Sequence, residues 1–393
     1  MLTLGGCKPK SLYLHIPFCT TRCSYCSFYS EPETNWKGFR EAYVSRLEQE
    51  IAVVVQETGG FETIFIGGGN PGSLTCEQLS RLLLAARSTQ CREVTIEMNP
   101  DTFSEAFFPL FEQKLVTRLS MGIQSMDEEV LRQLGRNATL EDNLQAIALA
   151  KKAREQYGID LSFDVMAALP GQTMQMALQD IETVVSLSEA GHISLYCLTV
   201  EEGTELARNV SKREVQVWDD DGQRELLQSL WARLGQLGYE HYEVSNFARE
   251  GNVCNHNLVY WDLNTYLGLG SSAASFLHSG NESWHYSQNQ DLKDFAEGAL
   301  FTGYDKEILS SEQLMEEYLM MALRTNRGIE KKHFSDRFLL DFDSLFSNTI
   351  AHLDPLWYNN TSHLFVLTEV GWMVLDEIVL RLCLQIPQPL DRH

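Results

Sequence analysis

The chain has 393 residues, 44% of them hydrophobic, and a formal net charge of −23. This length accommodates one large α/β domain and a smaller one, and no run approaches the roughly 20 apolar residues that span a bilayer. The negative charge repels phosphate backbones, so nucleic acid is not an expected partner. Residues 1–6 lack the pattern of a signal or transit peptide, which predicts a cytoplasmic location.

The first 200 residues alternate between short apolar runs and amphipathic segments. Strands are predicted for the apolar runs at 11–16, 63–66, 93–98, 118–123, 160–166 and 192–198. Helices are predicted at 35–57, 76–87, 104–114, 139–157 and 173–189. Strands that alternate with helices pair in parallel through right-handed crossovers. Six such units are too few for a closed eight-stranded barrel, so we predict an α/β fold with a partial (β/α)6 TIM-like barrel.

The pattern changes after residue 200. A helix at 214–237 and a strand at 239–247 are predicted first. From residue 306 we predict a small, mainly helical, winged-helix-like domain, with an N-terminal cap at Ser311, a hairpin at 364–368 and a final helix at 372–384. The predicted division is a core at 1–240, a connecting segment at 241–305 and a C-terminal domain at 306–393.

Cys19, Cys23 and Cys26 form a CxxxCxxC motif directly after the first predicted strand. Three thiolates at this spacing can hold one cubane iron–sulfur cluster from a single loop, and a structural cluster takes four. One iron is then open to a small-molecule ligand. The alternatives are three unrelated core thiols or a structural zinc site. His15 is the candidate fourth ligand of the zinc, although it lies on a predicted strand.

Further polar and glycine residues follow the later strands. Gly67-Gly68-Gly69-Asn70 follows the second strand, where glycine lets backbone approach a ligand closely, although a plain turn is the alternative. Glu97 lies among apolar neighbours and needs an internal partner or a cationic ligand, because buried charges must be paired. Individually such residues are more often structural. Four of them around one cysteine loop predict a shared site: Glu97, Gln124, Arg136 and Asp164.

The sequence at 13–28, together with the glycine run and these four polar residues, resembles that of radical S-adenosylmethionine (SAM) proteins. The resemblance is greatest to the branch of oxygen-independent coproporphyrinogen III oxidases and related heme chaperones, and it covers essentially the whole chain. It implies a 4Fe-4S cluster on Cys19, Cys23 and Cys26, whose open iron chelates the amino and carboxylate groups of SAM. The residues that it implies around SAM are Tyr13, Tyr25, Gly68, Gly69, Asn70, Glu97, Gln124, Arg136 and Asp164. Asn70 departs from the family pattern, which often has Thr there.

Two features favour the chaperone side of this branch. The oxidases carry a further cysteine where this chain has Phe28, and they have a longer segment before the first strand. In addition, the HNxxYW sequence, with His256, Asn257, Tyr260 and Trp261, resembles the heme-binding signature of the chaperones.

The HNxxYW region also carries groups that bind heme in other proteins. Imidazole is a common axial ligand of heme iron, and the Cys254 thiolate and the Tyr260 phenolate are alternatives beside His256. Trp261 can stack on a porphyrin face. The alternative is a loop in which His256 and Asn257 satisfy backbone groups.

The resemblance leads to one expected function and two alternatives. The expected function is a heme chaperone that transfers heme to an acceptor hemoprotein at the membrane, with the cluster and SAM controlling stability, homodimer formation or release. The first alternative is an enzyme, oxygen-independent coproporphyrinogen III oxidase. The second is a radical enzyme with another substrate.

Overall fold

The computed structural model describes residues 2–387. One twelve-stranded sheet forms its centre. The strands in chain order are β1 Ser11–Ile16, β2 Thr63–Gly68, β3 Glu93–Met98, β4 Arg118–Gln124, β5 Asp160–Ala167, β6 His192–Cys197, β7 Glu240–Glu243, β8 Asn246–Ala248, β9 Tyr266–Leu269, β10 Ala274–Ser279, β11 Glu282–Gln288 and β12 Tyr304–Leu309.

Strands β1 to β6 are adjacent in that order and parallel. They coincide with the six predicted strands to within two residues, which confirms the α/β class. Strand β9 adds a seventh parallel neighbour beside β1, and antiparallel strands extend the sheet at both edges. Glu97 on β3 lies close enough to Tyr13 on β1 to raise the pKa of that tyrosine, and Asp164 on β5 in turn raises the pKa of Glu97.

Helices cover the outer face of the sheet, where Leu12 and Leu14 are fully buried. The helix Leu140–Tyr157 begins at Thr139, whose hydroxyl accepts the N–H of Asp142, and ends at Gly158 with φ 69°. Both of its ends are therefore as predicted. The α-helices that precede residue 300 are Glu33–Trp36, Arg40–Thr58, Cys76–Ala86, Phe108–Glu112, Glu128–Gln133, Leu140–Tyr157, Met174–Ser188, Glu205–Ser211, Asp220–Gln236, Asn255–Trp261 and Leu292–Glu297.

The segment after residue 200 differs from the prediction in two places. The helix predicted from residue 214 begins at Asp220, because the side chain of Asp219 caps it by accepting the N–H of Gly222. The strand predicted at 239–247 is the hairpin of β7 and β8. The connecting segment supplies most of the strands that extend the main sheet.

The C-terminal part is mainly helical with a small sheet, as predicted. Its cap is Ser310 rather than Ser311, and the Ser310 hydroxyl accepts the N–H of Gln313. Its elements are the helices Ser311–Ala322, Lys331–Phe338, Phe342–Ile350, Glu369–Trp372 and Leu375–Cys383, and the strands β13 Ile329–Glu330, β14 Tyr358–Asn360 and β15 Leu364–Leu367. Within residues 2–387, no helix is both long and apolar enough to cross a membrane.

Candidate SAM and iron–sulfur site

The three cysteines lie in the loop that follows β1. This loop is tied to a later segment, because the backbone N–H and the hydroxyl of Ser24 both donate to the carbonyl of Leu134, at 2.9 and 3.0 Å. Burial, with a smaller contribution from the other two thiols, raises the pKa of Cys19 to about 11, and burial also raises the pKa of Cys26. Burial and the mutual repulsion of the three groups thus disfavour the thiolate forms. The thiolates need a positive partner, and the irons of a cluster would provide it.

A zinc ion and a cubane cluster need the three cysteine sulfurs in different arrangements. No group of three or more His, Cys, Asp or Glu side chains in the described part of the chain could hold one ion. Zinc needs each sulfur at about 2.3 Å from the same ion, whereas each cysteine of a cubane binds a different iron. The ring nitrogens of His15 contact the hydroxyl of Tyr13 and the carbonyl of Tyr29, both at 3.0 Å, so this ring takes part in a different set of contacts.

Arg136 lies beside the cysteine loop. Its guanidinium donates to the carbonyl of Gly122, and Nη1 is 3.9 Å from the sulfur of Cys23. Tyr25 lies against the same guanidinium. Among residues 2–387 the buried Nε of Arg136 has no hydrogen-bond partner. A fixed cation with an unsatisfied donor suits a carboxylate ligand.

Two carboxyl groups lie further along the inner face of the sheet. Glu97 accepts the N–H of Gly68 at 3.3 Å, and burial together with Asp164 raises the pKa of Glu97 to about 8. Burial raises the pKa of Asp164 to about 6, although Ser120 donates to it at 3.4 Å. A bound cation would favour the ionised form of both groups.

The glycines leave the space that these side chains occupy. A Cβ on Gly67 would lie 2.5 Å from Oε2 of Glu97, and a Cβ on Gly68, where φ is 112°, would lie 2.5 Å from the ring of His15. The N–H of Gly69 donates to the carbonyl of Ile16 at 2.8 Å, and this bond holds the three glycines against the end of β1. A side chain would crowd its neighbours at all three positions, because a Cβ on Gly69 would also lie 2.9 Å from the carbonyl oxygen of Phe18.

Asn70 and Gln124 differ in what they offer to a ligand. Asn70 is 1% exposed, and its oxygen accepts the N–H groups of Gly72 and Asn99 at 3.0 and 3.2 Å, so its side chain holds the loop together. Gln124 ends β4 with φ 67°, and its amide nitrogen would be 2.7 Å from a Cβ on Gly122. The missing Cβ of Gly122 thus lets Gln124 fold back beside Arg136.

The HNxxYW sequence lies at the opposite end of the parallel strands. It forms the helix Asn255–Trp261, which packs against the first residues of β2, β3 and β4. Glu93 accepts the N–H groups of Asn255 and His256 at 3.0 and 2.8 Å. Arg118 donates to the carbonyl groups at 252 and 253, both at 3.0 Å. The helix thereby forms a floor beneath the inner face of the sheet.

Within this floor His256 is fully buried. Its Nδ1 lies 2.8 Å from the hydroxyl of Thr63 and its Nε2 lies 2.8 Å from the hydroxyl of Tyr260. Asn257 and Trp261 are half-buried, and the ring of Trp261 lies 5.9 Å from the guanidinium of Arg324. This conformation matches the alternative in which the segment is structural and held by hydrogen bonds. The ring of His256, however, bonds to side chains and not to the backbone groups that were expected.

Comparison with known proteins identifies the family. Residues 13–184 match the Radical SAM superfamily, and residues 309–374 match the HemN C-terminal domain. The heme chaperone HemW of Bacillus subtilis (strain 168) is 31% identical over 383 residues, which cover 94% of this chain and 98% of that protein. The chain belongs to the HemW family of radical SAM proteins.

Other comparisons agree with the radical SAM assignment. The heme chaperone HemW of Lactococcus lactis is 30% identical over 95% of this chain and 98% of its own length. The Bos taurus protein called radical S-adenosyl methionine domain-containing protein 1, mitochondrial, is 32% identical over 84% of this chain and 76% of its own length. The structure of coproporphyrinogen III oxidase (HemN) from Escherichia coli has a TM-score of 0.78 at 22% identity and covers 96% of this chain and 91% of that one, which confirms the fold.

Three residues that lie near the candidate site residues or hold the segments that carry them were not predicted from the sequence. Tyr196 on β6 is 41% exposed and lies near Asp164 and Glu97. Glu93 lies on the same face of β3 as Glu97. The alternation of polar residues along this strand could therefore have indicated that Glu93 also faces inward. Asp180, on the helix Met174–Ser188, is 2% exposed, and no sequence pattern pointed to it.

Proposed function

We propose that this protein is a heme chaperone that binds heme and transfers it to an acceptor hemoprotein. The observation that carries this proposal is the match to the Bacillus subtilis heme chaperone over 98% of that protein's length. We further propose the membrane as the site of the acceptor, the cytoplasm as the location of the chaperone and a homodimer as one of its states.

Membership of the radical SAM superfamily implies a 4Fe-4S cluster and SAM, and we infer which residues hold them. Cys19, Cys23 and Cys26 are the proposed cluster ligands. When bound, the cluster supplies an open iron for SAM and an electron for its cleavage. Arg136 is suited to the carboxylate of SAM, because its guanidinium has an unused buried donor.

The remaining contacts to SAM follow from charge and position. Glu97 would bind the ammonium group of SAM, since a cation relieves the repulsion between Glu97 and Asp164. Asp164 would accept a ribose hydroxyl. Tyr13 donates to Nδ1 of His15, and this bond holds its ring at the edge of the site. The other proposed contacts are Tyr25, Gly68, Gly69, Asn70 and Gln124.

Heme is the cargo, and the HNxxYW helix is its proposed binding site. His256 is the candidate iron ligand, with Asn257, Tyr260 and Trp261 contacting the porphyrin. Because His256 is fully buried, heme binding requires the floor to rearrange locally.

The chain departs from the coproporphyrinogen III oxidase pattern at Phe28. The fourth cysteine of the oxidases is replaced by this phenylalanine, whose side chain is 70% exposed beside the cluster loop. The likeness to HemN, at 22% identity, shows the fold alone.

Anaerobic titration tests the chaperone against the oxidase. The cluster is reconstituted, SAM and a reductant are added, and hemin and coproporphyrinogen III are titrated separately. Stoichiometric hemin binding without decarboxylation of the porphyrinogen is expected, and formation of protoporphyrinogen would establish the oxidase instead. His256→Ala should weaken hemin binding, whereas the exposed control His352→Ala should leave it unchanged.

A further inference from the structure

The side chain of Ser30 lies buried beside the cysteine loop. Ser30 is 6% exposed, and among residues 2–387 its Oγ has no hydrogen-bond partner. Buried polar groups in folded proteins are nearly always hydrogen-bonded, and an exception often marks a place where an ion or a functional group is bound. The hydroxyl of Ser30 is therefore a donor that a bound group can use.

Backbone contacts hold Ser30 against the start of this loop. The backbone N–H that follows Ser30 donates to the carbonyl of Pro17 at 2.7 Å, and the next residue pairs in parallel with Cys19. On the other side of Ser30, the carbonyl of Tyr29 contacts the ring of His15 at 3.0 Å. These bonds on both sides fix the place of Ser30 beside the first cysteine.

The hydroxyl of Ser30 acts on the thiol of Cys19. Burial raises the pKa of Cys19 to about 11, and the hydroxyl of Ser30 opposes this effect. A group with this influence stabilises the thiolate, which is the form of cysteine that binds metals. The contact falls short of full hydrogen-bond geometry, so the proton of Ser30 is still available to a thiolate at position 19.

Each of the other two cluster cysteines also has a donor close to its sulfur. Nη1 of Arg136 lies 3.9 Å from the sulfur of Cys23. Burial raises the pKa of Cys26, and the backbone N–H of Phe28 opposes this effect. Of the three donors, Ser30 is the one that a substitution can remove without a change of charge or of backbone.

We propose that the hydroxyl of Ser30 donates to the Cys19 thiolate and thereby raises the reduction potential of the cluster. This proposal rests on the proposed assignment of Cys19, Cys23 and Cys26 as the cluster ligands. Hydrogen bonds to the sulfurs are one of the factors that set the potential of an iron–sulfur cluster. Reduction adds one negative charge, and a donor stabilises the more negative form more strongly.

The exchange involves one electron and no covalent bond. The electron comes from an external low-potential one-electron donor, and Ser30 keeps its proton throughout. Burial strengthens the effect, because hydrogen bonds are electrostatically stronger where water is excluded. Trp36, which is 4% exposed, donates its indole N–H to the backbone carbonyl of Cys19 at 3.0 Å and so shields the same side of the loop.

Ser30→Ala is the direct test, with Ser27→Ala as the matched control. Ser27 lies in the same loop, but its side chain is exposed, so water can replace its hydroxyl. Each variant is reconstituted anaerobically without SAM and titrated with dithionite in the presence of redox mediators. Electron paramagnetic resonance measures the reduced fraction. Ser30→Ala should lower the equilibrium constant for reduction about tenfold, which is about 59 mV for one electron, and Ser27→Ala should match the wild type.

Ser30→Thr is the conservative variant that retains the hydroxyl. Its reduction potential should match that of the wild type, because the donor is still present. Iron and sulfide analysis should give the same content in all three variants, since none of them removes a cluster ligand. Thermal melts of the apoproteins should show that the variants are folded.

The outcomes separate this inference from the cluster assignment beneath it. If replacement of all three cysteines by serine leaves iron and sulfide in place, the assignment itself fails. If that protein is empty while Ser30→Ala has full iron content and the wild-type potential, the ligands stand and the role of Ser30 is wrong. A Ser30→Ala protein that assembles no cluster, or a Ser30→Thr protein with the potential of Ser30→Ala, also overturns the proposal. A lowered potential that Ser30→Thr restores supports it.

Discussion

The carboxylate of Glu93 accepts the backbone N–H of His256 at 2.8 Å, and this bond joins the first residue of β3 to the first turn of the HNxxYW helix. The same carboxylate accepts the N–H of Asn255 and lies 3.8 Å from the guanidinium of Arg118. One buried acid therefore anchors the floor and balances a buried cation.

Glu93→Gln is expected to lower the free energy of unfolding by about 2 kcal/mol, because it removes the buried one of the two carboxylates beside Arg118 and leaves only the half-exposed Asp160 at 3.6 Å. Urea denaturation of the apoprotein measures the change. Glu129→Gln removes an exposed ion pair with Arg132 and should lower the stability far less. Equal stability of the two variants would contradict the anchoring role of Glu93.

Replacing Cys19, Cys23 and Cys26 together by serine should abolish the visible absorbance of the reconstituted cluster and leave a folded apoprotein. The reason is that the cluster needs all three thiolates of one loop. Iron and sulfide analysis checks this result. Cys91→Ser lies outside the loop and serves as the control with full iron content. A triple variant that keeps its iron and sulfide would show that the ligands are elsewhere.

Arg136→Lys should weaken SAM binding about tenfold while the cluster stays intact, because an ammonium group cannot replace a two-pronged guanidinium at a carboxylate. Isothermal titration of the reconstituted protein measures the affinity. Arg132→Lys is the control, since Arg132 lies at the surface and pairs with Glu129. Unchanged SAM affinity in Arg136→Lys would show that Arg136 does not bind the carboxylate of SAM.

SAM affinity should rise between pH 6 and pH 8, because the cation binds the ionised form of Glu97, whose pKa is about 8 without ligand. For the unliganded protein the sign is opposite. The folded state retains a proton that the unfolded state has lost, so Glu97 makes stability fall as the pH rises from about 4.5 to 8. Glu97→Gln should flatten the SAM profile and reduce the slope of the stability profile, to which Asp164 and Glu243, with pKa values raised to about 6 and about 7, also contribute. Titrations and denaturation at pH 6, 7 and 8 check this, and profiles that keep their slope would exclude Glu97 as the titrating group.

Asp180→Asn should lower SAM affinity without loss of the cluster. The carboxylate of Asp180 accepts the hydroxyl of Ser125 and the N–H of Met126, both at 2.8 Å, and the amide of Gln172 at 3.1 Å. These bonds fix the loop after Gln124, which has φ 67°. An asparagine presents a donor where only an acceptor fits.

The readouts for Asp180→Asn are the SAM affinity and the visible spectrum of the cluster. Asp127→Asn is the control, since Asp127 caps the next helix by accepting the N–H of Val130. Loss of the cluster together with SAM binding would indicate general unfolding and not a positioning role.

The local pattern of the sequence determined the elements of the core and the candidate cluster ligands. Apolar runs and amphipathic helical patterns, with caps such as Thr139, placed six of the seven parallel strands, because these signals act over a few residues. The cysteine spacing is equally local. It needs one loop and no knowledge of the rest of the chain.

The tertiary structure alone decided which partners the polar side chains have. The side-chain oxygen of Asn70 is hydrogen-bonded within its own loop, and Nε2 of His256 is hydrogen-bonded to the hydroxyl of Tyr260. The pairing of Glu93 with the HNxxYW helix joins residues 163 positions apart in the chain. Such contacts depend on how strands and helices meet after the chain has folded, and the hydrogen bonds and burial that they create set the ionisation and availability of each site residue.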